Sequence, residues 1–164
     1  MVEKDAIKTL LGRLAFTADL PEQTLDECAA VAIVADFASG TTIFKEGAAN
    51  PFLYVVVHGR VGLDIEVPGR GNVRVLSIEP GEMLAWSALL GGGTMTVSAR
   101  ALQDTQTLAI PGAKLLEICQ ANHEAGFQIM QRMADALARR LFATRLQLLD
   151  LFAEPAVAGA IRSS

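Results

Sequence analysis

Between Val34 and Ile110 the chain meets a turn signal about every eight to twelve residues, and this spacing limits its fold more than any other feature. The runs are VADFAS, TTIFK, FLYVVVHG, VGLDIEV, NVRVLSIE, TMTVSARAL and TQTLAI. They are short and rich in β-branched and aromatic residues. The breaks are Ser39-Gly40, Glu46-Gly47, Asn50-Pro51, Gly59, Pro68-Gly69-Arg70-Gly71, Pro80-Gly81 and Gly91-Gly92-Gly93. Such a pattern predicts an antiparallel barrel, sandwich or jelly roll. VPGRGN, between two alternating strands, predicts a hairpin loop whose glycines supply positive φ.

Helical periodicity flanks this region. In residues 1–32, Val2, Ala6, Ile7, Leu10, Leu11 and Leu14 recur at helix spacing. A second helix starts at Pro21 with Glu22 in its first turn and carries Leu25, Cys28, Ala29 and Ala32. After the roll, over 33–110, Pro111 opens a short helix, PGAKLLEICQA. Asn122 then caps a long helix, with Glu124 in its first turn, running to about Phe152. Phe127, Met130, Ala134, Leu137, Leu141, Thr144, Leu148 and Leu151 alternate steps of three and four, a heptad seam. Thr144 is its one polar member, and Leu149 and Phe152 widen the apolar face. The expected fold class is α+β: an antiparallel β-roll of jelly-roll type, about eight strands, with N-terminal helices and a long C-terminal helix. Residues 1–153 form one domain in this reading (1–32, 33–110 and 111–153), and 154–164 a flexible tail.

Composition narrows the function. Hydrophobic residues make up 51% of the 164, with no run long enough to span a bilayer, so the excess belongs in a core or an interface. MVEKDAIKTLLGRL is charged and amphipathic, unlike a secretory signal, and a cytoplasmic protein is expected. Cys28 and Cys119 read as buried thiols. A net charge of −4 argues against a nucleic-acid surface over the whole domain. Arg132, Arg139, Arg140 and Arg145 along the last helix read as a solvated face, with Asp135 near. His58 and His123 cannot make a metal set, and no nucleophile–base pairing stands out, so no metal, cofactor or catalysis is expected.

The motifs of the roll carry a resemblance. Gly40, Ile43-Phe44, Glu46-Gly47, Leu53 to Val57, Gly59 and Val61, followed by VRVLSIEPGEMLAWSALL, resemble the cyclic-nucleotide-binding domain of the catabolite activator and Fnr type, over roughly residues 16–150. The resemblance implies a phosphate-binding cassette. Backbone N–H groups at a short helix meet a cyclic phosphate, an Arg on the next strand neutralises it, and a Glu holds the ribose. It also implies that the final helix closes the site and makes a dimer. The cassette here is Gly81, Leu84, Ala85, Trp86, Ser87 and Ala88, then Thr94, Met95, Thr96, Val97 and Ser98.

Two positions depart from the family. Trp86 stands where the resemblance implies the ribose Glu, and Met95 where it implies the phosphate Arg. Glu82 comes four residues too early to replace the first. Arg100 comes five too late, on the face expected for Thr94, Thr96 and Ser98, opposite Met95. A charge-assisted contact contributes about 1.5–3 kcal/mol, so losing the Arg weakens a cyclic phosphate by about two decades. PGEMLAWSAL with TMTVSARA also resembles a bacterial branch that carries Trp-Ser at this place.

The expected role is a stand-alone, non-enzymatic sensor or regulatory module, with a nucleotide or other small ligand in the roll. Ligand-linked movement of the last helix would pass to a second subunit through Phe127, Met130, Ala134, Leu137, Leu141, Thr144 and Leu148. The alternative is a ligand-free dimeric interaction or scaffold protein, its pocket filled by Trp86 and Met95. About a dozen residues follow Phe152, so direct DNA binding is not expected; without a bilayer-spanning run neither is membrane association, and a protein partner is possible.

Overall fold

The computed structural model describes residues 2–162. Helices α1 (Val2–Arg13) and α2 (Glu22–Val31) precede the strands β1 (Ile33–Phe37), β2 (Thr42–Phe44), β3 (Phe52–His58), β4 (Val61–Val67) and β5 (Gly71–Ile78). There follow β6 (Met83–Leu84), α3 (Ser87–Leu90), β7 (Ser98–Ala101) and β8 (Thr105–Pro111), then α4 (Gly112–Ala121) and α5 (His123–Arg162). The strands form two four-stranded antiparallel sheets, ordered β1-β8-β3-β6 and β2-β7-β4-β5. This is the expected roll with its flanking helices.

Strand β3 explains the apolar run FLYVVV. Leu53 and Val55 join a cluster with Ile7, Leu11 and Leu115 of the helices, while Tyr54 and Val56 join Val61, Leu63 and Met95 inside the roll. A strand buried on both faces needs no polar alternation. VPGRGN closes the β4–β5 hairpin, with Gly69 at φ 80° and Gly71 at φ 73°. Asn122 caps α5, its Oδ1 accepting the Ala125 N–H at 3.1 Å. Both cysteines are free and buried. Among the described residues, no helix is long and apolar enough to cross a membrane.

Three sequence expectations are corrected. Strand β7 starts at Ser98, not Thr94, because the preceding segment is drawn to the 45–50 loop. Met95 N–H donates to the Ala48 carbonyl at 2.9 Å, and Gly47 N–H to the Met95 carbonyl at 2.8 Å. The strand alternation that set Thr94 and Thr96 on the face of Arg100 therefore does not hold. Helix α5 runs past its expected end near Phe152, its backbone helical to Arg162. The stretch AVAGA there is mostly alanine, the best helix former. Residues 163–164 of the expected tail, and the side chains of Leu151 and Phe152, lie outside the described residues. Finally, Arg140 is not on a solvated face: its guanidinium donates to the Met83 carbonyl. Arg132 likewise turns inward, to the Phe16 carbonyl at 2.9 Å.

Candidate functional site: a cavity between the roll and the last helix

The Pro80-Gly81 turn sets up the site. Gly81, at φ 90°, donates its N–H to the Val56 carbonyl at 2.8 Å. Glu82 Oε1 accepts the Glu79 N–H at 2.9 Å, so this exposed carboxylate is engaged by the turn. The chain then enters β6, paired with β3 through Val55↔Met83 and Tyr54↔Leu84. This two-residue strand carries no periodic signal and escapes sequence reading.

Ala85 follows at φ 66°, the one non-glycine residue with positive φ among those described. An L-residue there costs about 1–2 kcal/mol. The left-handed φ turns the chain out of β6, so that Trp86 stands at the N-cap and Ser87 begins α3 beside the roll. Trp86 is half-buried and packs partly against the helical cluster. Gly93 N–H returns to the Ser87 carbonyl at 2.8 Å, and Asn50 N–H binds the Gly93 carbonyl at 2.8 Å. The Gly91–Gly93 run is thereby fastened at both ends.

Met95 is 2% exposed. Its sulfur lies 3.6 Å from Asn50 Nδ2, which also donates to the Phe52 carbonyl at 2.7 Å. The Tyr54 hydroxyl donates to Asn50 Oδ1 at 3.4 Å. Burial pushes the Tyr54 phenol above its ordinary range. This polar pin fixes the thioether in the floor of the roll.

A cavity of about 310 Å³ opens here. Ala85, Trp86, Ser87, Met95, Thr96 and Val97 line it from the cassette, and Leu137, Arg140 and Thr144 from α5. Gly81, Leu84, Ala88, Thr94 and Ser98 do not reach it. Leu84 is buried in the roll, and Ser98 Oγ accepts the Glu46 N–H at 2.9 Å on the other side of the sheet. Of the seam residues, Leu137 and Thr144 face the cavity, whereas Phe127 and Leu141 are 67% and 65% exposed.

Arg140 is the cation that sequence reading misplaced. It lines the cavity, and burial holds its pKa below the ordinary value, partly offset by the charge of Glu82. Residue spacing alone carries no sign of this. The reach of a long side chain depends on how α5 lies on the roll.

With this geometry in place, comparison with known proteins is decisive. The profile described as "Cyclic nucleotide-binding domain" matches residues 34–122, more than half of the chain. The chain belongs to the cyclic nucleotide-binding domain family. It is 28% identical over 117 residues to the CRP-like cAMP-activated global transcriptional regulator of Mycobacterium tuberculosis, covering 71% of this chain and 50% of that one. The chain thus spans about half the length of the curated relatives it matches. The N-terminal domain of a transcriptional regulator from Streptomyces coelicolor A3(2) has a TM-score of 0.66 at 25% identity, covering 82% of this chain and 94% of that one. A cyclic nucleotide-binding domain from Methylobacillus flagellatus KT shares the fold, with a TM-score of 0.75 at 14% identity over 90% of this chain and 83% of that one.

Proposed function

We propose that this domain is a non-enzymatic regulatory sensor with a degenerate phosphate-binding cassette. A small ligand occupies the cavity between the cassette and α5. Occupancy shifts α5, whose outer apolar stripe passes the change to a second copy of the chain. The observation that carries this reading is the shared cavity: Trp86, Met95 and Val97 on one side, Leu137, Arg140 and Thr144 on the other. A ligand touching both walls has different contacts when α5 moves, the condition for a shift of population.

The degeneracy is a matter of side chains. Where the family resemblance implies Glu and Arg, Trp86 and Met95 meet the cavity, and neither carries a charge; the Met95 thioether is only a weak acceptor and is already held by Asn50. Cyclic AMP and cyclic GMP are expected to bind weakly or not at all. The alternative, a ligand-free dimeric scaffold, draws support from the buried Met95 and the exposed stripe. The open 310 Å³ favours the sensor, because a pocket plugged by Trp86 would leave no such space.

Trp86, the only tryptophan, reports on the cavity. Its fluorescence and the melting temperature are followed while cyclic nucleotides, cyclic dinucleotides and small organic acids are added. A saturable change with at least one of them is expected. Silence to all of them refutes the sensor and leaves the scaffold. The double variant Trp86→Glu with Met95→Arg is expected to gain at least tenfold in cyclic AMP affinity.

A further inference from the structure

Resting on the sensor reading, we infer that the cavity takes an amphipathic acid, an apolar body ending in one carboxylate, and that Arg140 is the counter-charge that selects it. Three observations combine. Apart from Ser87, Thr96, Arg140 and Thr144, every lining residue is apolar. A nucleoside body, rich in hydroxyls and base-edge groups, would leave most of its polar atoms unpaired there, which is costly. An alkyl or aryl body is matched by Leu63, Val75, Met95 and Leu137.

Second, Arg140 is the only cation in the lining, and it comes from α5 rather than from the cassette. Among the described residues it makes no ion pair. One neutral backbone oxygen, that of Met83, accepts from its guanidinium, which has five N–H donors. The acid that acts on it most, Glu82, is exposed and bound to the Glu79 N–H. A largely desolvated cation without a carboxylate partner gains strongly from an anion brought to it. A carboxylate offers the two acceptors that a guanidinium fork matches.

Third, the size fits. A volume of about 310 Å³ holds roughly ten groups of water size, at about 30 Å³ each. That suits a medium-chain fatty acid or an aryl-alkanoic acid. Because the same arginine anchors α5 to β6 through Met83, a carboxylate drawn to Arg140 acts directly on the helix position.

The test uses decanoate and indole-3-acetate against the full chain, with decanamide and indole-3-acetamide as uncharged matches and cyclic AMP beside them. Binding is read by calorimetry and melting temperature. Each acid is expected to bind ten- to a hundredfold more tightly than its amide, the span of one charge-assisted contact. Arg140→Gln is expected to bring the acid down to the amide while leaving amide affinity within about threefold. Equal affinity of acid and amide in the wild-type protein overturns the inference, even if the variant fails to fold. Cyclic nucleotides binding while the acids do not overturns the ligand class and leaves the sensor standing. Silence to acids, amides and cyclic AMP alike overturns the inference, and the sensor reading falls with it only when cyclic GMP and the cyclic dinucleotides are silent too.

Discussion

Ala85 is where local geometry and residue type disagree most sharply. Its φ of 66° suits glycine, yet its methyl group is buried, with 8% of the residue exposed. Ala85→Gly relieves about 1–2 kcal/mol of backbone strain but loses a buried methyl, about 0.8 kcal/mol, and adds freedom to the unfolded chain. We expect a change within about 1 kcal/mol, whereas Ala99→Gly, at a fully buried strand position without positive φ, costs about 1.5 kcal/mol. Urea melts of the two variants check this; an equal loss at both sites contradicts strain at Ala85. A second residue-scale prediction concerns Cys28, whose thiol is pushed up to about 12, by burial first and then by Cys119 and Glu27. The unfolded thiol ionises near 9.0, so this group's stabilisation is complete below pH 9 and is lost as pH climbs towards 12. The slope is about 1.4 kcal/mol per pH unit for one proton. Stability of Cys28→Ala is expected to fall less steeply across that window, measured by denaturant melts at pH 9 to 11.

At the scale of elements, glycine contacts tie the cassette to α5 through α4. A Cβ at Gly112 would collide with the Ala88 carbonyl oxygen of α3, and one at Gly126 would lie 2.6 Å from the Cys119 carbonyl oxygen. Neither obstacle is a flexible side chain. Gly112→Ala and Gly126→Ala are therefore expected to cost about 1–3 kcal/mol each. Gly112→Ala is also expected to shift Trp86 emission, since α3 must move. Unchanged melting and emission would show that α3 and α4 are not in such close contact. Much of this level is legible in the sequence. FLYVVV, VPGRGN and Asn122 each announce their element through burial, turn chemistry or capping. The misses have physical causes. The segment TMTV has strand composition, but its hydrogen bonds go to Ala48 and Gly47, a tertiary choice. Strand β6 is too short to show a period. Arg140 looks like any surface arginine until α5 is laid across the roll.

For the whole molecule, α5 presents two faces. Ala125, Ile129 and Met133 are buried, the last two in the helical cluster, while Phe127, Leu141, Phe142, Leu148 and Leu149 are more than half exposed. One heptad position, Phe127, Ala134, Leu141 and Leu148, lies on the outside throughout. A stripe of that kind matches the seam of a helix pair. Sedimentation is expected to give a dimer at micromolar concentration, weakened at least tenfold by Leu141→Glu. A monomer at millimolar concentration would exclude the helix pair. The central claim is that the cavity and α5 are coupled, and it is testable without knowing the ligand. Val97→Phe adds an aromatic ring to the cavity wall facing Leu137 and Arg140. Amide hydrogen exchange is compared between this variant and the wild type over residues 132–145. The account predicts exchange slowed about tenfold or more in that segment, with β3 and β8 unchanged; identical exchange along α5 would contradict it.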